Sequence, residues 1–272
     1  LEQALRIAPG LTAAREELAD LYRARGSYAE EMDQLRALAE ADDHVGRRVA
    51  IALGEARRDR FVAAIALLGQ AALEAPQDSR VQLALGRIYL ERAERAGDAG
   101  SIPRALDVLE RALGGTAPRS EGLALFGRAL FLSGDVAGAE RILREAVATS
   151  PLDLEAFTFL ADASERLGHD IAARDALVSL DALQGGTATA DVRATRAHRI
   201  GVLSMRAGDP RGAVTYLTQA VNLGQAAIDT LALLARAKYL IQDIAGAKEI
   251  LGRALILDPS NSELLRLARL IR

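Results

Sequence analysis

The 272-residue chain contains no cysteine and no tryptophan, and only five phenylalanines and five tyrosines. Without cysteine there is no disulfide, no thiolate nucleophile and no Cys-containing metal site, a composition that fits a reducing cytosol and a periplasm equally and leaves the compartment open. Aromatics at 4% argue against a sandwich or barrel built on aromatic and β-branched strands. Lysine is nearly missing: Lys238 and Lys248 stand among 34 basic residues, and the remainder are arginine. Such an excess of arginine and alanine reads as the signature of a GC-rich genome, so a single arginine carries little functional weight. No apolar run approaches the roughly 18 residues of a membrane span, and no charged start, apolar core and cleavage site opens the chain. It begins at Leu1 without a methionine, inside what reads as the end of a helix, so upstream signals or domains stay open. The net charge of −3 and pI near 5.8 supply no global basic field, which disfavours nucleic acid as a partner.

What is present is alanine and leucine, 98 residues together, within a composition that is 50% hydrophobic and 26% charged. That excludes a disordered chain and points to helix. Sliding the sequence on itself brings small residues into register at a spacing of 34: Ala105 with Ala139, Ala112 with Ala146, Gly127 with Ala161, Gly201 with Ala235, Ala213 with Ala247, and Ala220 with Ala254. Within a unit, apolar residues recur at three- and four-residue steps, as in Leu123, Phe126, Gly127 and Leu130, then Ala139, Leu143, Ala146 and Val147. Each unit is therefore two helices.

The breakers divide the chain in the same way. Gly26, Gly134, Gly168 and Gly208 sit where a left-handed residue ends a first helix, and Ser27, Asp135, Asp209 and Asp243 follow where a side chain can cap the second. Pro103 and Pro210 fit just inside a helix start, and Pro9, Pro76, Pro118, Pro151 and Pro259 close second helices.

These features resemble the tetratricopeptide repeat (TPR) family. The clearest unit runs from Ser120 to Asp153, with Phe126-Gly127, the Gly134-Asp135 turn, Ala139, Ala146 and Pro151; Leu234-Ala235, Asp243, Ala247, Ala254 and Pro259 repeat it, as do Leu85-Gly86, Tyr89, Ala105 and Ala112. The resemblance covers essentially the whole chain and implies an all-α fold, a right-handed α-solenoid superhelix of antiparallel TPR helix pairs. We partition residues 1–272 as one solenoid: a partial repeat over 1–11, repeats over about 12–44, 45–78, 79–119, 120–153, 154–193, 194–227 and 228–261, and a capping helix over 262–272. In that cap Leu264, Leu267 and Leu270 are expected inward and Arg266, Arg269 and Arg272 outward. Leu1, Ala4, Leu5 and Ala8 form an apolar face without a first-helix partner. Three places depart from the pattern. Glu31 occupies a slot expected to be alanine, the unit from Leu154 ends in Gly185-Gly186 and a polar link that reads as a flexible joint, and between Glu91 and Ser101 a long first helix or an inserted loop is expected.

Convergent catalytic chemistry is hard to find. His44, His169 and His198 lie in different units without metal-ligand spacing, no Gly-rich phosphate loop ends in Lys-Ser/Thr, and Gly114-Gly115 reads as an interhelical turn. Ser164 and Ser204 fall inside helices without a nucleophile elbow, and the carboxylate pairs Glu16-Glu17 and Glu30-Glu31 fall in solvated segments. No catalytic residue, cofactor or metal is expected, and the chain reads as a non-enzyme.

The expected site is the groove that TPR first helices line, which receives a peptide or a partner helix. Projection along those helices places Leu83, Arg87, Leu90, Leu125, Arg128, Phe131, Leu132, Phe159, Arg199, Met205, Arg236 and Tyr239 on it. Arginine can hold an acid group there while aromatics supply contact area, although the same aromatics could fill gaps between repeats and the arginines could be compositional. The clamp for a terminal carboxylate that co-chaperone TPR domains build from Lys and Asn is absent, because the only asparagines are Asn222 and Asn261; the asparagine ladder of O-linked N-acetylglucosamine transferase is missing for the same reason. The expected role is a bacterial-type protein-interaction scaffold or adaptor. Two alternatives stand beside it: a substrate-recruiting segment of a larger enzyme or of a secretion or exopolysaccharide machine, and an oligomer that self-associates through its terminal repeats.

Overall fold

The computed structural model describes residues 1–115 and 119–271. Pro118 and Arg272, given roles above, lie outside the described residues. Among those described, the regular elements are sixteen α-helices. The chain divides into two compact units, residues 1–150 and 151–272. The first holds α1 (Glu2–Ile7), α2 (Thr12–Ala24), α3 (Tyr28–Ala41), α4 (Val45–Arg57), α5 (Phe61–Glu74), α6 (Ser79–Arg95), α7 (Ser101–Leu113), α8 (Arg119–Ser133) and α9 (Val136–Thr149). The second holds α10 (Leu154–Arg166), α11 (Asp170–Gln184), α12 (Ala190–Arg206), α13 (Pro210–Asn222), α14 (Ile228–Leu240), α15 (Ile244–Leu257) and α16 (Ser262–Leu270). From α2 to α15 the helices pack as consecutive hairpins, even-numbered helix first, and each hairpin stacks on the next within its unit. None of the described helices is long and apolar enough to cross a membrane.

Small residues set how closely each hairpin closes. Ala105, Ala112, Ala139, Ala146, Ala161, Ala213, Ala220, Ala235, Ala247 and Ala254 are all buried to within 1% of full exclusion. On the first helices, a Cβ added to Gly86 would lie 2.4 Å from Leu109 Cδ2, one on Gly127 2.5 Å from Leu143 Cγ, and one on Gly201 2.5 Å from Leu217 Cγ. The leucine of the second helix thus occupies the space that a first-helix side chain would need, and the axes approach at the short end of the usual range.

The turns follow from backbone chemistry. Gly26, Gly134, Gly168 and Gly208 have φ between 73° and 95°, and in the same turn of two other hairpins the left-handed residue is Asp59 or Gln242 instead. Asp135, Asp209 and Asp243 accept the amides of Gly138, Gly212 and Gly246, each at 2.9 Å, which satisfies an orphan donor at the start of the second helix. Glycine three residues on is part of the motif, since a Cβ there would meet the capping carboxylate at 2.2–2.3 Å. Ser27 stands at the same place before α3, but its side chain makes no capping bond.

The irregular places resolve individually. Glu31, in the expected alanine slot, corrects the reading of the Glu30-Glu31 pair as solvated: it is fully buried, and its carboxylate accepts from Arg23 Nε at 2.9 Å and from the Arg57 guanidinium. One carboxylate thereby ties α2, α3 and α4 together. The long unit is explained by α6, which runs 17 residues to Arg95 before the 96–100 loop. The link after Gly185 is bridged: Arg196 on α12, 8% exposed, pairs with Asp181 at 3.1 Å and donates to Gln184 Oε1, both on α11. In α16 the expected inward set needs correction. Leu264 and Leu267 are buried, but Leu270 is 64% exposed and Ile271 is buried in its place. Two successive three-residue steps drift around a helix, whereas a step of three followed by four returns to the same face.

Candidate functional site

The twelve residues expected on the first-helix face separate into three groups. Leu83, Leu90 and Leu125 are no more than 4% exposed and belong to the core of the first unit, so they are not groove residues. In that core Leu83 and Leu90 lie two turns apart on α6, on a buried face, and the apolar pattern from which they were assigned marks burial more strongly than ligand contact. A second group is engaged between repeats. Arg87 pairs with Glu121 at 3.3 Å, Arg128 pairs with Glu94, and Arg199 donates to Asp162 and Glu165 at 2.6 Å each. Burial acts to lower the Arg199 pKa, but the hydrogen bonds and charges of Asp162 and Glu165 outweigh it and hold the guanidinium above its ordinary value. Phe131 and Phe159 are half-buried, while Leu132 packs against the core of the first unit and Met205 against that of the second. Arg236 is exposed, Tyr239 packs in part against the core of the second unit, and the structure brings these two together in one cavity.

That cavity, about 550 Å³, lies within the second unit between the first helices α12, α14 and α16. Its apolar part is Val202, Ala232, Leu233, Tyr239, Leu240, Leu267 and Leu270, and its polar part is His198, Asp229, Arg236, Glu263 and Arg266. Leu240 and Leu270 are 49% and 64% exposed, so the apolar part opens to solvent. His198 Nδ1 lies 3.0 Å from Thr230 Oγ1, and burial of the ring lowers its pKa while the nearby Asp229 carboxylate opposes that shift. His44 and His169 stand elsewhere, at the starts of α4 and α11. Among the described residues no cluster of three His, Asp or Glu is arranged to hold a metal. A smaller hollow of about 340 Å³, lined by Thr158, Leu177, Leu180, Val192, Arg196 and Arg199 among others, lies where α10, α11 and α12 meet. Its two arginines are both committed to ion pairs.

No protein-family model and no curated protein matches the sequence. Solved structures do match. The pilus protein PilW, a widely conserved type IV pilus biogenesis factor, superposes with a TM-score of 0.60 at 15% identity, over 77% of this chain and 92% of that one. The C-terminal part of a TPR repeat-containing protein from Cytophaga hutchinsonii gives 0.59 at 15% identity, over 92% and 97%. A chain of the Cut9–Hcn1 hetero-tetramer of the APC/C gives 0.58 at 14% identity over 98% of this chain, which spans half the length of that one. The fold is a TPR solenoid fold.

The TPR register explains why this cavity differs from the rest of the first-helix face. Arg128 finds its acid 34 residues back at Glu94, and Arg199 finds one 34 residues back at Glu165. For Arg236 the residue 34 back is Val202, and for Arg266 it is Ala232, both of them cavity-lining. The ladder of inter-repeat ion pairs is interrupted here, and neither Arg236 nor Arg266 has an ion-pair or hydrogen-bond partner among the described residues. The TPR register also shows which site residues the sequence reading missed. Glu263 and Leu270 are the 34-residue successors of Asp229 and Arg236, so treating α16 as a further first helix, rather than as a cap, places them in the site.

Proposed function

We propose that the chain is a protein-interaction module without catalytic activity of its own, which takes a segment of a partner protein in the cavity between α12, α14 and α16. The observation that carries the proposal is the cavity itself: an open apolar surface on three first helices, of a volume suited to a few side chains, beside charged groups that the fold leaves unused. The structural neighbours support a protein partner, since one of them is part of a hetero-tetramer. Photo-crosslinking tests it. A benzophenone amino acid in place of Leu240 or Leu270 should give protein adducts in the native host, whereas one in place of Val62 or Leu73, which are exposed on α5, should give none. Adducts confined to the α5 positions would move the interface elsewhere and overturn the proposal.

A further inference from the structure

Resting on that reading of the cavity, we infer that its occupant is an acidic segment: an Asp or Glu side chain held by Arg236 and Arg266, next to an apolar side chain seated against Tyr239, Leu240 and Leu270. Other arginines of the first-helix face are already committed. Arg87, Arg128 and Arg199 each neutralise a carboxylate on a neighbouring repeat. At the 34-residue offset Arg236 and Arg266 meet Val202 and Ala232 instead of an acid, and although Asp229 stands 37 residues before Arg266, the offset of the Arg199–Asp162 pair, no carboxylate is bonded to either guanidinium. A partner's carboxylate there completes the pattern that the protein completes internally elsewhere, and two arginines offer the planar donor forks that bind carboxylates bidentately.

The acids in the same cavity equal the arginines in number, so their placement decides where a carboxylate can enter. Asp229 and Glu263 sit in the first turns of α14 and α16, where a negative charge is already stabilised by the helix N-terminus. Arg236 follows Asp229 by seven residues, about 10 Å along the axis, so the arginine lies toward the end of α14 that carries Tyr239 and Leu240. Along α14 the lining therefore runs from the acid through Arg236 to an apolar surface, while on α16 Arg266 lies one turn beyond Glu263 and the apolar Leu267 and Leu270 follow. A ligand carboxylate beside an apolar group matches the second and third zones, and a basic residue on its far side matches the first.

The test is selection of phage-displayed peptides with eight random internal positions, flanked on both sides so that no terminus is free. Wild type and the Arg236→Gln/Arg266→Gln variant are compared; both arginines are exposed, so the variant should keep its helical circular dichroism and melting temperature. Wild type should enrich peptides with Asp or Glu adjacent to a large apolar residue. The variant should lose the acidic preference, keep the apolar one, and bind the wild-type winners roughly tenfold or more weakly for each arginine removed. Peptides that are apolar but neutral or basic, or the same acidic preference in the variant, would overturn the inference and leave the cavity as an apolar docking site. No enrichment by wild type would overturn the cavity reading and this inference with it.

Discussion

Replacing Gly127 with alanine tests the packing rule on which the hairpins rest. An added Cβ would stand 2.5 Å from Leu143 Cγ and 2.7 Å from Cδ2, about 1 Å inside the normal carbon contact distance of about 3.5–4.0 Å. Leu143 is fully buried, so yielding to the added methyl would press it on neighbouring atoms of a close-packed interior. Overpacking of this kind costs about 1–3 kcal/mol, against a gain of about 1 kcal/mol when a mid-helix glycine becomes alanine. The net expectation is a loss of about 0–2 kcal/mol. Gly252 on α15 is the control, since it is exposed and a Cβ there meets nothing within 4 Å, so Gly252→Ala should stabilise by up to about 1 kcal/mol. Stacked repeats do not always unfold in one step, so urea denaturation should be paired with native-state hydrogen exchange of the α8 and α9 amides. Leu143→Ala alone should cost about 2–5 kcal/mol, and in that background Gly127→Ala should recover its helix gain, giving a coupling energy of about 1–3 kcal/mol. If Gly127→Ala stabilised as much as Gly252→Ala, with no coupling to Leu143, the close-approach account of these hairpins would be wrong.

Three further outcomes can be checked. Gln242 holds a left-handed backbone where other hairpins use glycine, so Gln242→Gly should raise stability by about 1 kcal/mol in chemical denaturation; a loss would show that the Gln242 side chain contributes more than its backbone costs. Arg23→Met/Arg57→Met should leave the buried Glu31 carboxylate without a cation and cost about 3–5 kcal/mol, whereas Glu31→Ala should cost less because both arginines can reach water; equal melting temperatures for the two variants would contradict this. Burial lowers the His198 pKa, so the unfolded chain binds the proton more readily: stability should be complete above about pH 6.5 and decline as pH falls below it. His198→Gln should flatten that part of the profile, and an unchanged slope would locate the titration in another group.

Much of the fold is legible because its determinants are local. The three- and four-residue apolar steps, the glycines and capping aspartates found in several of the turns, and the prolines after second helices need no distant contact to be read, and each small slot named from the repeat is buried. Ser27 marks the edge of that legibility, since a capping residue type in the right place makes no capping bond. Glu31 marks another: the sequence marks it as an anomaly, and the explanation lies in Arg57, 26 residues away on another helix.

The sequence alone determined the helix pairs, their turns and their close-packed slots, because these depend on neighbours within one or two turns or on a constant 34-residue offset. Tertiary structure alone decided which members of the first-helix face are available. Leu83, Leu90 and Leu125 turned inward, Arg87, Arg128 and Arg199 were taken up by acids on adjacent repeats, and Arg236 was left beside Arg266 in an open cavity. Exposure and pairing of a side chain depend on what the next repeat places against it, and that is a property of packed helices rather than of any one segment.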